Sequence, residues 1–260
     1  MTTTARKAPA DPLPTHPPTD TQATPARRVA IVQSNYVPWK GYFDLIGAVD
    51  EFILFDNVQY TRRSWRNRNL IKTAQGPRWL TIPVEVKGKY EQRIRDTRIA
   101  SPSWRRTHLH TLFHNYARAA CFAEVKDMVE SWYMTATHSF LSEVNHHFLT
   151  NILRFLGIRT PLTWSSDYRV EEGRVERLVS LCQQTRATEY LSGPTARAYM
   201  DEAPFQRSGI TVRYIDYSNY PEYPQVHPPF EHAVSILDLV FNLGTNAARH
   251  LKGRSRILGP

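Results

Sequence analysis

Gln33-Ser34-Asn35-Tyr36-Val37-Pro38-Trp39-Lys40-Gly41-Tyr42-Phe43 packs amides, phenols, an indole and an amine into eleven residues. Gln33, Asn35 and Tyr36 could donate to and accept from a polar ligand, with Lys40 beside them as a cation. Trp39 and Tyr42 offer flat faces to a sugar or a base, and Gly41 permits close backbone approach. The bland alternative is an aromatic turn that only fixes where a helix starts. Asp56, followed by Asn57, Gln59 and Tyr60, adds a carboxylate that could take a proton from an amine, orient a histidine or cap a turn. Trp65-Arg66-Asn67-Arg68 then sets two guanidinium groups beside an amide and an indole. The planar arginine fork matches phosphate and carboxylate oxygens bidentately, so this tetrapeptide is a better anion site than scattered lysines.

His108 lies four residues from both Trp104 and Leu112, which puts it on the buried side of a helix. It is either a satisfied core histidine or a general base, since imidazole titrates near working pH. Three polar loops follow strand-like segments further on: Ser165-Ser166-Asp167-Tyr168, Leu191-Ser192-Gly193-Pro194, and Asp216 to Tyr223 with Tyr217 and Tyr220. Loops after parallel strands share one rim, so they would wall a pocket facing the first two segments. Ser192-Gly193 could present backbone N–H groups to an anion at a helix N-terminus. Tyr36, Asp56, Arg66 and Ser192 are thus expected around one cationic, aromatic-walled cavity.

Other chemistries lose support. Cys121 and Cys182 cannot build a disulfide framework or a thiolate zinc site, and neither has a base adjacent in sequence. His146 and His147 point about 100° apart on a helix, poor geometry for a shared metal, and no metal site is expected. The chain contains no G-x-x-x-x-G-K-[ST], G-x-G-x-x-G, H-E-x-x-H or G-x-S-x-G.

The elements that must position these groups can be read from periodicity. Val29-Ala30-Ile31-Val32 is a short β-branched run suited to a buried strand, Trp39 to Val49 has helical spacing, and Glu51 to Phe55 is again strand-like. Leu70 to Lys72 and Trp79 to Val84 read as a hairpin about a Gly76-Pro77 turn. About Pro102 to Leu156 reads as three helices, with one apolar stripe from Trp132 to Phe155 and Gly157 as its C-terminal stop. Strands at 162–164, 190–191 and 210–215 then alternate with helices at 173–185, from Thr195, and from Ala233 to Phe241. The fold class is α/β: a mostly parallel sheet with flanking helices and a central helical insertion. Residues 1–27 hold six of the eighteen prolines among Thr and Ala and read as a disordered tail. The ordered domain is expected over 28–252, with a basic tail at 253–260.

In 260 residues there is ample material for a core, and no apolar run nears the roughly 20 residues of a membrane helix. The first 27 residues lack a secretory apolar stretch, so a cytoplasmic location without a membrane span is expected. Net charge is +9, yet residues 61 to 106 alone hold thirteen Lys and Arg against three acids, a balance of +10. So local a field attracts phosphates, whether of a nucleotide, a phosphopantetheine arm, an acidic carrier protein or a nucleic acid, or else only keeps the surface solvated.

Taken together, these residues resemble the WbqC-like family, a bacterial group often encoded with surface-polysaccharide and specialised-metabolite genes. The resemblance covers about 28 to 252. It rests on the 33–43 segment, Trp65-Arg66-Asn67-Arg68, Leu191-Ser192-Gly193-Pro194, Tyr220-Pro221-Glu222-Tyr223-Pro224-Gln225, and Ser235-Ile236-Leu237-Asp238 with Phe241-Asn242. It implies transfer of an acyl or aminoacyl group to a sugar amine, from a carrier-protein or CoA thioester rather than a tightly bound cofactor. In that reading His108 or Asp56 is the base, while Asn35, Tyr36 and the Ser192-Gly193 backbone polarise the carbonyl. Gln33, Trp39, Lys40, Tyr42, Tyr60, Trp65, Asn67, Tyr217 and Tyr220 contact substrate, and Arg66 and Arg68 hold phosphate. The opening is also similar to adenylyl-transferring α/β folds, although Trp39-Lys40-Gly41-Tyr42 lacks both histidines of their H-x-G-H loop. An ATP-dependent ligase or nucleotidyltransferase is therefore the first alternative. A non-enzymatic nucleic-acid or polyanion binder is the second, with nucleic acid the less favoured partner.

Overall fold

A computed structural model describes Met1 and residues 26–169 and 171–253. The tails expected at 1–27 and 253–260 lie almost wholly outside the described residues. At the boundaries, Arg27 and Gly253 belong to the fold: the Arg27 guanidinium is 2.8 Å from Glu51, and the Gly253 amide donates to Asp44 at 2.8 Å.

The first half of the chain is β1 (Arg28–Val32), α1 (Lys40–Gly47), β2 (Glu51–Leu54), β3 (Arg68–Thr73), β4 (Gly76–Thr81), α2 (Trp104–Tyr116) and α3 (Phe122–Thr135). It continues with α4 (Leu141–Leu156), β5 (Leu162–Trp164), α5 (Glu176–Gln184), β6 (Glu189–Ser192), α6 (Ala203–Arg207), β7 (Thr211–Tyr214) and α7 (Ile236–Leu243). Five strands form one parallel sheet in the order β5-β2-β1-β6-β7, and β3 and β4 make a separate antiparallel hairpin. The architecture is α/β, with α2, α3 and α4 as the central helical insertion.

Side chains alternate across a strand, so β1 feeds two cores. Ala30 joins Phe52, Leu54 and Leu191 in the larger core, while Val29 and Ile31 join Ile53, Tyr190 and Leu181 in the smaller one. This two-sided burial explains why β1 reads as an uninterrupted apolar run.

The structure redraws some element ends. The hairpin turns at Ala74-Gln75, since Thr73 pairs with Gly76, and Pro77 sits within β4 opposite Lys72. A two-stranded ribbon has only edge strands, where a residue without N–H is tolerated. The expected single stripe from Trp132 to Phe155 is split between α3 and α4, because Leu141 N turns to the Thr97 carbonyl at 2.8 Å. Gly157 closes α4 at φ 70° as expected. In place of a helix from Thr195 there is only a 3₁₀ turn at Pro194–Ala198, with α6 starting later. The last helix begins at Ile236, capped by Ser235, whose Oγ accepts from Leu237 N at 3.2 Å. Among the described residues no helix is long and apolar enough to cross a membrane.

Candidate functional site

Past β1 the chain makes a sharp bend at Val37, whose φ of 34° is unusual for a β-branched residue and costs on the order of 1–3 kcal/mol. Three clamps hold it. The Asn69 amide donates to the carbonyls of Tyr36 and Val37, both at 3.0 Å, and Ser235 Oγ donates to the Val37 carbonyl at 2.7 Å. Tyr36 N donates to the Trp65 carbonyl at 3.0 Å, so the 64–69 segment is tied to the bend through its backbone.

Asp56 anchors the start of this loop from below. It is 1% exposed and accepts from Ser34 N at 2.8 Å and from Ser142 Oγ. Burial raises its carboxyl above the usual range, and the bonds from Ser142 and Ser34 oppose that rise. Asn145, fully buried on α4, donates to Ser34 Oγ and to the Arg66 carbonyl, both at 2.9 Å.

These constraints shape a cavity of about 270 Å³ at the carboxyl end of β1, lined by Asn35, Pro38, Trp39, Trp65, Asn69 and Ala233. Arg66 donates from a guanidinium nitrogen to Asn35 Oδ1. Arginine only donates, so the Asn35 oxygen is engaged and its amide nitrogen is the group left to serve the cavity. Burial lowers the Arg66 pKa, and Tyr42 and Asp56 pull the other way. Behind Trp39 lie Tyr217 and Tyr220, with ring centroids 5.0 and 5.8 Å away. The lining Trp65 and the neighbouring Trp79 are 44% and 39% exposed with centroids 5.1 Å apart, and the Arg68 guanidinium lies 3.9 Å over Trp79.

Lys40, at the start of α1, is 3% exposed and its Nζ lies 2.9 Å from His232 Nδ1. The rings of Tyr220, Tyr223 and Phe230 surround that ammonium at 4.9, 5.3 and 5.5 Å. An ammonium only donates, so Nδ1 accepts and neutral His232 carries its hydrogen on Nε2. Burial, then the Lys40 charge, lowers the His232 pKa. Both residues adjoin cavity walls, Lys40 after Trp39 and His232 before Ala233.

The residues expected at one site fall into three places. Asn35, Trp39 and Trp65 line the cavity, with Arg66, Arg68, Lys40, Tyr217 and Tyr220 against its walls. Gln33, Ser192 and Gly193 line a different cavity across β1, so the single convergence on Tyr36, Asp56, Arg66 and Ser192 is not what the fold builds. The turn after Gly193 is five residues of 3₁₀ beginning with a proline, which has no N–H to offer, so the expected helical anion site is not formed. Tyr36, Tyr42, Asp56, Tyr60, Asn67 and His108 are each 6% exposed or less. None of them lines the cavity, because they are buried in the protein, where their polar groups tie the loops together. The Tyr42 hydroxyl donates to the Gln33 carbonyl at 2.9 Å, the Asn67 amide to the Ile82 carbonyl at 2.9 Å, and Tyr60 N to the Gln92 carbonyl at 2.9 Å. Lys72, counted in the basic stretch, is 3% exposed and donates to the Pro229 carbonyl at 2.6 Å.

Sequence reading missed Asn69, Asn145 and His232. Asn145 was detectable as a polar residue on the stripe of Leu141, Phe148 and Ile152. Asn69 continues the alternation begun at Asn67. His232 sits in a proline-rich segment without periodicity and gave no signal.

An open parallel α/β sheet with a ligand-sized cavity outside the carboxyl end of its first strand has the layout by which such sheets hold small molecules. The chain belongs to the WbqC-like protein family, which matches residues 33–250. It is similar to the protein named Uncharacterized protein Rv1507c of Mycobacterium tuberculosis (strain ATCC 25618 / H37Rv). The two are 51% identical over 226 residues, 87% of this chain and 98% of the relative. No solved structure matches the chain.

Proposed function

We propose that this protein transfers an acyl or aminoacyl group from a thioester to an amine on a sugar. The observation that carries the reading is the Arg66 to Asn35 clamp. It fixes the Asn35 amide with its nitrogen as the available donor in a cavity walled by Trp39 and Trp65. A preorganised N–H aimed at a carbonyl oxygen favours the transition state of amide formation, where that oxygen gains charge. The aromatic walls suit the apolar faces of a sugar ring, and the partly buried Arg66 adds positive potential.

In the proposed step the amine nitrogen attacks the thioester carbon. The C–N bond forms, the C–S bond breaks, and the proton lost by nitrogen passes to the departing sulfur. No side chain need form an acyl intermediate. Burial lowers the His108 pKa to about 4, and its ring lies in the core, so it acts through the fold rather than on substrate. The same holds for Asp56.

The test is incubation of an acyl-pantetheine thioester with amino sugars and nucleotide-linked amino sugars, following amide by mass spectrometry and thiol release together. Equal amounts of both are expected without ATP. Product formed only with ATP, with release of AMP or pyrophosphate, would replace this reading by a ligase.

A second reading, binding of a polyanion, draws on the exposed Trp65 and Trp79 with the partly buried Arg68 stacked on Trp79, within the basic stretch. It requires affinity that falls steeply with salt and is indifferent to the charge-neutral Asn35→Ala.

A further inference from the structure

β1 and β6 are hydrogen-bonded neighbours only at their starts, where Arg28 pairs with Glu189 and Val29 with Tyr190. Beyond those pairs the two strands separate. The chain leaves β1 toward β2 on one side, while β6 and β7 extend the sheet on the other, so this gap is the place where the strand order reverses. In open parallel sheets the crevice outside the carboxyl ends at such a reversal is a natural ligand position. Here it is a cavity of about 390 Å³, distinct from the Asn35 cavity and on the opposite side of β1.

Its chemistry is mixed. Ile31, Tyr190, Leu178 and Met200 make an apolar floor, and Gln33, Ser192 and Thr195 add an amide and two hydroxyls. At the mouth the Arg174 guanidinium lies 5.0 Å over the exposed Tyr199 ring. The adjoining stretch 169–177 carries Arg169, Arg174 and Arg177 against Glu171, Glu172 and Glu176, so its charge cancels. That balance contrasts with the +10 of residues 61 to 106 and argues against a polyphosphate as the occupant of the crevice. An uncharged chain with apolar and amide portions fits instead. Gln33 in this cavity and Asn35 in the other are two residues apart on the segment that leaves β1, at most about 7 Å of chain, so the two cavities flank one short stretch.

We infer that the crevice between β1 and β6 is a second binding site, for the uncharged amide-bearing arm of the thioester, with pantetheine as its chemical class. The inference rests on the thioester reading above and adds where the donor sits. That arm occurs both on coenzyme A and on carrier proteins.

Gly193 supplies a clean probe. Its φ of −71° suits any residue, and a Cβ there meets nothing within 4 Å, so Gly193→Leu places a side chain at the crevice without straining the fold. The experiment titrates pantetheine, coenzyme A, a phosphopantetheinylated carrier protein and ATP into the intact protein, following backbone amides by NMR. Pantetheine is expected to shift Gln33, Ser192 and Gly193, and Gly193→Leu to weaken it at least tenfold while Asn35→Asp leaves its affinity within threefold. Leu178→Trp, filling the same floor from α5, is expected to weaken it comparably. Coenzyme A matching pantetheine indicates that the arm alone is read, and a tighter carrier protein indicates that source; either supports the site. Shifts centred on Asn35 and Trp65, tighter binding of ATP than of pantetheine in the crevice, or no shift at millimolar pantetheine would overturn it. Pantetheine binding without amide product would leave this site standing and remove the transfer reading. Product formed by Gly193→Leu with unchanged thioester KM would do the reverse.

Discussion

The Tyr36 hydroxyl lies 2.9 Å from His108 Nδ1, joining the bend after β1 to α2 across 72 residues of chain. His108 Nε2 is 3.2 Å from the Thr81 carbonyl, which can only accept, so Nε2 carries a hydrogen, and in the neutral ring that burial favours Nδ1 accepts from Tyr36. Tyr36 in turn accepts from the Tyr133 hydroxyl at 2.7 Å. These directions belong to the neutral imidazole, the form that burial favours.

Its consequence is a defined pH dependence of stability. Burial lowers the His108 pKa from 6.5 to about 4, while the Thr81 carbonyl opposes the shift. Between those values the unfolded chain binds a proton that the folded chain refuses. The contribution is therefore fully present above pH 6.5 and lost as pH falls toward 4, on the order of 3 kcal/mol in all. Urea unfolding at pH 7 and pH 4.5 should show the loss, reduced in His108→Gln. An NMR titration placing His108 near 6.5 in the folded protein would dismiss the account.

Asn35→Asp separates binding geometry from chemistry. Aspartate keeps the oxygen that Arg66 engages but carries no N–H, so the cavity should hold its shape and lose its donor. Amide formation is expected to fall on the order of 10²-fold in kcat, with unfolding free energy changed by less than about 1 kcal/mol. An unaltered kcat would remove Asn35 from the reaction.

How far the sequence foretold this arrangement follows from what each residue was judged by. β1 and the 33–43 segment were legible because an apolar run ending in Asn, Tyr and Trp carries both its burial and its chemistry in local spacing. The fates of Tyr36 and Asp56 were not, since a phenol or carboxylate after a strand can face ligand or core equally well. What turns them inward is α2, α3 and α4, through His108, Tyr133 and Ser142, and those partners lie 72, 97 and 86 residues away. Ser192, expected just past a strand, is the last residue of β6, and only the splay of β6 from β1 assigns it to a different cavity from Asn35. The Lys40 and His232 contact, 192 residues apart, left no trace in either local sequence.

That contact has its own test. With Lys40 donating to Nδ1, nitrogen-detected NMR should show neutral His232 as the Nε2–H tautomer. Lys40→Met removes the neighbouring charge, so the His232 pKa should rise toward 6.5, only in part because burial is the larger cause of its lowering. Observation of the Nδ1–H tautomer in the unmodified protein would show that the two side chains do not meet in this way.

Gly41 explains how Trp39 reaches the cavity at all. The backbone approach that a glycine permits here is used by the chain's own indole: a Cβ built on Gly41 would lie 2.3 Å from Trp39 Cζ2 and 2.7 Å from two further ring atoms. Gly41 lies within α1, where alanine is otherwise favoured over glycine by about 0.5–1 kcal/mol, so propensity alone would make Gly41→Ala stabilising. The ring must move for that methyl to fit, and it forms both a cavity wall and the contact surface for Tyr217 and Tyr220. Gly41→Ala is therefore expected to raise the KM for the amine acceptor about 3- to 10-fold, the worth of one lost aromatic contact of ~0.5–1.5 kcal/mol. The circular dichroism spectrum should stay unchanged, and the indole fluorescence should shift. Tight acceptor binding with the alanine in place would mean that Trp39 lines the cavity without touching the ligand.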